Sequence, residues 1–422
     1  MAIAVTPPRG MRDFLPADKA VRERSLGIIR ESFRAHGFDE IETPVMEDSI
    51  RLHSGLGGDN EKLAFAVLKR GLSAADVAAA AAQDDLLSLA DLGLRFDLTV
   101  PLARFYATHR AALPTVFRSI QIAPVWRAER PQKGRYRQFM QCDIDIIGEA
   151  GSLAEIELIT ATAATLDQLG LTGCSIRIND RRILTTLLAH WGVAAALTER
   201  ALIVIDKLDK IGVNGVATEL GTLGIDAPDL ATLLTELGSG GWSLGSDAPD
   251  GSAPSWLDPA AFADLEALRA ALPGVDLRFD PTLVRGMGYY TGTIFEIAHP
   301  DLSYSLGGGG RYDGMIGRFL GTDVPACGFS IGFERIVDLL EADAASALNA
   351  VVLVHEKDAD PARLVALKRD LVAGGLRVRL ERRTKNLKAL LDRAGEAGYG
   401  RFAFVTPDTN AAADLDFKPL GV

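Results

Sequence analysis

Residues 116–148, VFRSIQIAPVWRAERPQKGRYRQFMQCDIDIIG, carry the reading that decides the fold. Two apolar-rich runs, 116–127 and 137–147, flank the turn residues Pro-Gln-Lys-Gly, which is the pattern of strand, loop and returning strand. Between them lie Arg127, Arg130, Lys133, Arg135 and Arg137 against a single acid, Glu129. Guanidinium forks match paired phosphate oxygens, so the cluster suits phosphate binding. A solvated basic hairpin is the other reading, and an arginine at an apolar strand start needs a partner, which favours the first. Arg127 and Glu129, two apart on a strand, are expected on one face. In QCDIDIIG, Gln141, Asp143 and Asp145 alternate with Cys142, Ile144 and Ile146, so buried acceptors would line one face of a sheet. Pairing of one carboxylate with a core arginine accounts for the same pattern.

Outward from this hairpin, strand-like runs recur at 94–100, 293–298 and 327–332, with a helix expected over 153–168. Asp97 and Thr99 in RFDLTVP raise the acceptor question on what reads as another strand. Upstream, 18–36 reads as a helix closed by Gly37. The next run, FDEIETPV, alternates like a strand, and Pro44 confines it to an edge or an interface. Residues 73–90 read as an alanine-rich helical surface insertion. Strands that return after a long gap predict one antiparallel domain split by an insertion. That division makes 1–179 and 276–345 the core and 180–275 a helical insertion with a flexible loop at 238–256. Strand–helix alternation over 349–422 predicts a small α/β domain, so the fold class is α+β with an α/β appendix.

Composition bounds the function. The chain has 422 residues, 48% hydrophobic and 24% charged, which suits a globular protein of two or three domains. No apolar run is long enough for a membrane span, and the start lacks a secretory signal, so a cytoplasmic setting is expected. Cys142, Cys174 and Cys327 show no CxxC spacing, and none of the six histidines lies in HExxH spacing. The net charge is −11 overall, yet 349–422 is +3 and 377–393 holds seven basic residues against two acidic ones. A polyanion would therefore touch the chain locally, not coat it. Further along, Arg285 opens VRGMGYYTGTIFE, and SLGGGGRYDG follows at 305–314. The GGGG run has neither P-loop nor dinucleotide spacing, and most such runs are turns. Arg335 in GFSIGFERI sits at an apolar helix entry, either as an ion-pair partner or as a nucleotide contact.

Taken in order, RGMRDFLP (9–16), RFDLTVPLARFYA (95–107), the 116–148 hairpin, LVRGMGYYTGTIFE (283–296), GGGGRYDG (307–314) and GFSIGFERI (328–336) resemble the histidyl-tRNA synthetases, a class II aminoacyl-tRNA synthetase family. The resemblance covers most of 7–340, and the segments around Arg285 and Tyr312 are the histidine-specific ones. It implies an antiparallel active-site sheet, a helical insertion and a C-terminal anticodon-binding domain. It also implies ATP with Mg2+, L-histidine and tRNA(His) as partners, and a homodimer with Pro44 at its interface. By the same resemblance, Arg127 holds the α-phosphate, Glu129 lies near the adenine and Arg335 near the γ-phosphate. Arg285 lies beside the α-phosphate where other class II enzymes place a metal, and no protein ligands for a metal are assigned. Asp97, Thr99, Gln141, Asp145, Arg285, Tyr290 and Tyr312 match the histidine pocket. Three features depart from the family pattern: Gly288 in place of aspartate, the 73–90 insert, and a tail that stops early, implying a shortened anticodon domain. A regulatory subunit of ATP phosphoribosyltransferase, which shares the core and charges no tRNA, is the alternative.

Overall fold

The computed structural model describes residues 5–53, 63–131, 134–225, 256–285, 289–302, 304–340 and 349–420. The chain divides into two compact units, Met1–Arg12 with Leu26–Asp338, and Asp13–Ser25 with Leu339–Val422. The segment expected as an insertion, 180–275, falls within the first.

In the first unit the strands are β1 (Asp39–Glu40), β2 (Met46–Asp48), β3 (Phe65–Leu68), β4 (Ala90–Leu94), β5 (Phe117–Trp126), β6 (Gln138–Ile147), β7 (Ser175–Asp180), β8 (Leu277–Phe279), β9 (Thr293–Ala298), β10 (Gly307–Arg311) and β11 (Ala326–Ile331). Eight of them form one sheet in the order β1-β5-β6-β11-β10-β9-β7-β8. Neighbours from β5 to β7 are antiparallel, as expected. The two outermost pairs, β1 with β5 and β7 with β8, are parallel and flank the expected antiparallel core. Each of these pairs is separated in sequence by long stretches that contain helices, and such a crossover is what a parallel pair requires.

The β5–β6 hairpin runs in continuous register from Phe117 opposite Ile147 to Trp126 opposite Gln138. Its aliphatic side chains Ile120, Ile144 and Ile146 are fully buried. The helix Leu153–Gln168 packs on β6 and β11, and its Leu158, Ile159 and Ala161 have no exposed surface.

Three local expectations change. The run 94–100 is not a strand: β4 ends at Leu94, and a helix runs Thr99–His109. The Asp97 carboxylate accepts the Val100 N–H at 3.2 Å, and Pro101 sits in the first turn, where its missing N–H costs nothing. The glycine run is no turn either, because Gly307–Arg311 forms β10 in the interior of the sheet. Third, Arg127 follows the end of β5 and Glu129 lies in the bend beyond it, so the two do not share a strand.

Pro44 is exposed beyond the edge strand β1. Its segment is held from behind by the buried Arg95, whose guanidinium donates to the carbonyls of Thr43 at 2.8 Å, Pro44 at 3.2 Å and Pro124 at 3.0 Å. The insert at 73–90 contains the helix Ala74–Ala82, opened by a Ser73–Asp76 capping box. Within 180–275, helical turns cover Arg181–His190, Thr198–Ile205, Leu208–Thr222 with a break at Gly212, and Pro259–Ala271. The loop reading of 238–256 lies almost wholly outside the described residues, as do Lys133 and Gly288.

The second unit holds β12 (Ala350–His355), β13 (Arg377–Arg382), β14 (Arg401–Val405) and β15 (Lys418–Pro419), ordered β13-β12-β14-β15. β12 runs parallel to both neighbours. Its alternate residues feed two cores: Val351 and Leu353 pack with Leu364, Leu367 and Leu371, while Val352 and Val354 pack with Leu390 and Ala394. Helices Pro361–Ala373 and Leu387–Glu396 supply those partners, so the strand is apolar from Ala350 to Val354. Among the described residues, no helix is long and apolar enough to cross a membrane.

Candidate active site

A cavity of about 740 Å³ opens over the centre of the large sheet, in the size range of small-molecule sites. Asp97, Thr99, Arg127, Glu129, Gln141, Asp145, Arg285, Tyr290, Tyr312 and Arg335 all line it; Pro44 does not. The ten residues come from five sequence segments spread over more than half of the chain.

One side is acidic. Gln141, Asp143 and Asp145 point the same way from β6, as their spacing requires. Asp145 accepts a 2.6 Å hydrogen bond from the Tyr312 hydroxyl. Asp143 accepts from Ser330 Oγ at 2.5 Å and from Gln141 Nε2 at 3.3 Å. Asp97 joins them from the helix entry; among the described residues, its buried Oδ2 has no hydrogen-bond partner, and neither has Gln141 Oε1. Burial pushes Asp97 up to about 6 and Asp145 up to about 7, the latter opposed by the Tyr312 hydrogen bond. Asp143 is raised well above the carboxylate range by burial and then by Asp145 beside it. Unpaired buried acceptors are costly, so this wall is incomplete without donors from a ligand. Tyr289, Tyr290 and Tyr312 close it, with ring centroids 4.8 Å apart for the first pair and 6.0 Å for Tyr289 and Tyr312.

The other side is cationic. Arg127 Nε donates to the Phe96 carbonyl at 2.9 Å, and its guanidinium lies 5.0 Å from the centre of the Phe139 ring. Arg335 donates to the Ser305 carbonyl and lies 5.1 Å from the centre of the Tyr304 ring. Neither makes an ion pair among the described residues. Burial, then the nearby cation Arg135, lowers the Arg335 guanidinium from its ordinary value. The region therefore carries positive charge that an anion would compensate. Arg285 is held differently: Glu296 Oε2 accepts from it at 2.9 Å, while Oε1 of the same carboxylate pairs with Arg177. Gly308 on β10 explains part of the glycine run, since a Cβ there would come within 2.7 Å of Arg285 Nη1. Strand β10 is thus bare at Gly308, where the Arg285 guanidinium comes close to it.

Several lining groups escaped assignment from sequence. Asp143 was visible in the alternation and only its role was missed. Glu296 shares a strand with the TGTIF segment, but its grip on Arg285 depends on which face β9 buries. Ser330 and Glu334 carried no signal, because their partners lie 187 and 322 residues away.

The histidyl-tRNA synthetase family profile matches residues 10–336. The histidine–tRNA ligase of Leifsonia xyli subsp. xyli (strain CTCB07) is 66% identical, the alignment covering 100% of this chain and 99% of the relative. The probable histidine–tRNA ligase of Tropheryma whipplei (strain Twist) is 43% identical, with 96% of each chain covered. Among solved structures, the histidyl-tRNA synthetase from Nostoc sp. PCC 7120 superposes with a TM-score of 0.76 at 25% identity, covering 99% of this chain and 95% of that one. With sequence likeness over its whole length and the same architecture, the chain belongs to the histidyl-tRNA synthetase family.

Proposed function

We propose that this protein is a histidine–tRNA ligase, which joins L-histidine to ATP as histidyl-adenylate with release of pyrophosphate, then passes histidine to the 3′ end of tRNA(His). The observation that carries the reading is the division of one cavity into a wall of buried acceptors and a wall of arginines. An imidazole and an ammonium bring donors to the open oxygens of Asp97 and Gln141 and a further donor to Asp145, with Thr99, Tyr290 and Tyr312 closing around them. A site built for two ring nitrogens rejects apolar isosteres, which would leave its own groups unpaired. The histidine carboxylate attacks the α-phosphorus of ATP, and charge grows on the phosphoryl oxygens as pyrophosphate departs. Arg127 and Arg285 act at that centre, Arg335 at the γ-phosphate, and Glu129 at the adenine. Fixed cations aimed at developing charge favour the transition state over the ground state.

Among the described residues, no group of three or more metal-binding side chains forms. Mg2+ accordingly belongs in this reading to the ATP phosphates as part of the substrate, and no step is assigned to it. We assign 1–179 with 276–345 to activation, 180–275 to a helical insertion, and the basic 349–422 unit to the anticodon stem. Pro44 and the exposed Val45 and Met46 beside it suit a homodimer contact in a cytoplasmic enzyme. The regulatory-subunit alternative is not favoured, because Arg127, Arg285 and Arg335 all line the cavity and the relative at 66% identity is a ligase.

Histidine-dependent ATP–pyrophosphate exchange followed by charging of tRNA(His) tests the reading. Both activities are expected. Absence of exchange by folded protein would reject it, and exchange without charging would confine the enzyme to adenylate formation.

A further inference from the structure

The N-terminal segment makes a contact that the catalytic roles above do not use. Arg12 forms an ion pair with Oε2 of Glu334, which is buried and directly precedes Arg335. The second oxygen of Glu334 accepts the Met140 N–H of β6 at 3.0 Å. The same Arg12 guanidinium lies 3.4 Å from the centre of the Tyr136 ring, in the loop that follows Arg127. Two residues earlier, the Gly10 carbonyl accepts the Arg137 N–H at 2.7 Å. Gly10 has a φ of 81°, and a Cβ there would come within 2.6 Å of Pro131 and 2.9 Å of Arg137. The segment is thus pressed against both ends of the basic loop, and glycine is required for that approach.

These contacts converge on the cationic wall, which Tyr136, Met140 and Glu334 themselves help to line. A short N-terminal segment ties together the loop after Arg127, the start of β6 and the helix Phe333–Val337 that carries Arg335. The acidic wall is untouched: none of these bonds reaches Asp97, Asp145, Tyr290 or Tyr312. Taking the cation out of a buried ion pair weakens the hold on the carboxylate it faces, and here that carboxylate sits on the helix that carries Arg335. Arg335 and Arg127 must keep their productive positions against the phosphates to a fraction of an ångström, so a small shift of their supports is costly.

From this geometry we infer that Arg12 is a positioning residue for ATP: through Glu334 and Tyr136 it holds Arg335 and the loop after Arg127 in register with each other. The inference rests on the ligase reading, and wild-type pyrophosphate exchange tests that reading separately. In Arg12→Gln the KM for ATP is expected to rise about tenfold or more. Histidine binding measured calorimetrically without ATP is expected to stay at the wild-type value. Arg12→Lys, which returns the cation, is expected to recover most of the ATP KM. Because Arg12 and Glu334 act as one unit, Arg12→Gln combined with Glu334→Gln should cost less than the two separate losses multiplied. Wild-type exchange with an unchanged ATP KM in Arg12→Gln overturns the inference. So do equal losses of ATP and histidine affinity, which mark a general packing role, and so do fully multiplicative losses in the double variant.

Discussion

Strands β6 and β12 are both buried, both central and both rich in aliphatic residues, yet they are built for different ends. β12 is apolar on each face: Val351 and Leu353 on one, Val352 and Val354 on the other, with a helix against each core. β6 keeps Cys142, Ile144 and Ile146 for the interior and turns Gln141, Asp143 and Asp145 to the cavity. The first strand only stabilises. The second gives up apolar burial on one face and holds carboxylates that water no longer solvates. Buried ionisable groups of that kind make sense only if another molecule completes them.

Substitutions in the two regions should therefore separate activity from stability. The largest effect is expected at Arg285→Ala, which should lower pyrophosphate exchange about a thousandfold while the protein stays folded and binds histidine. Near-normal turnover in that variant would remove Arg285 from the chemistry. In the other region, Leu353→Ala should cost about 3 kcal/mol of stability in urea unfolding and leave exchange intact. A parallel fall in exchange would show that the two regions are not energetically distinct.

A smaller effect, and the sharpest test of the acidic wall, comes from Asp145. Its replacement by alanine should raise the histidine KM about a hundredfold, since a donor of the ligand loses its partner. The milder Asp145→Asn reports on the ligand-free state. Because folding raises Asp145 from 3.8 to about 7, the folded protein holds a proton there that the unfolded chain has released. That contribution to stability is present at low pH and is lost as pH climbs from about 4 to about 7. Relative to wild type, the Tm of Asp145→Asn should accordingly improve across that interval. A difference that does not change with pH would mean that Asp145 is charged in the empty site.

Much of this was legible in the residues themselves. The hairpin 116–148, the helix at 153–168 and the α/β alternation after 349 follow from period-two and helical apolar patterns, which are local properties of the chain. The chemistry of the site was legible because arginines and carboxylates stood where apolar neighbours predicted burial, and because their order matched one family. The errors have a common origin. RFDLTVP looks like a strand by composition, but the Asp97 carboxylate caps a helix there. GGGG looks like a turn, but it is a strand, and the missing side chain of Gly308 leaves room for Arg285.

By itself, then, the sequence determined which segments alternate, which carry charge into apolar surroundings, and to which family their order belongs. Tertiary structure alone decided that Glu296 grips Arg285, that Glu334 joins Arg12 to the cationic wall, and that Asp97 faces the cavity with an oxygen that no described residue pairs. The physical reason is range. Backbone periodicity acts over a few residues, whereas an ion pair between residues 12 and 334 exists only once the sheet between them has closed.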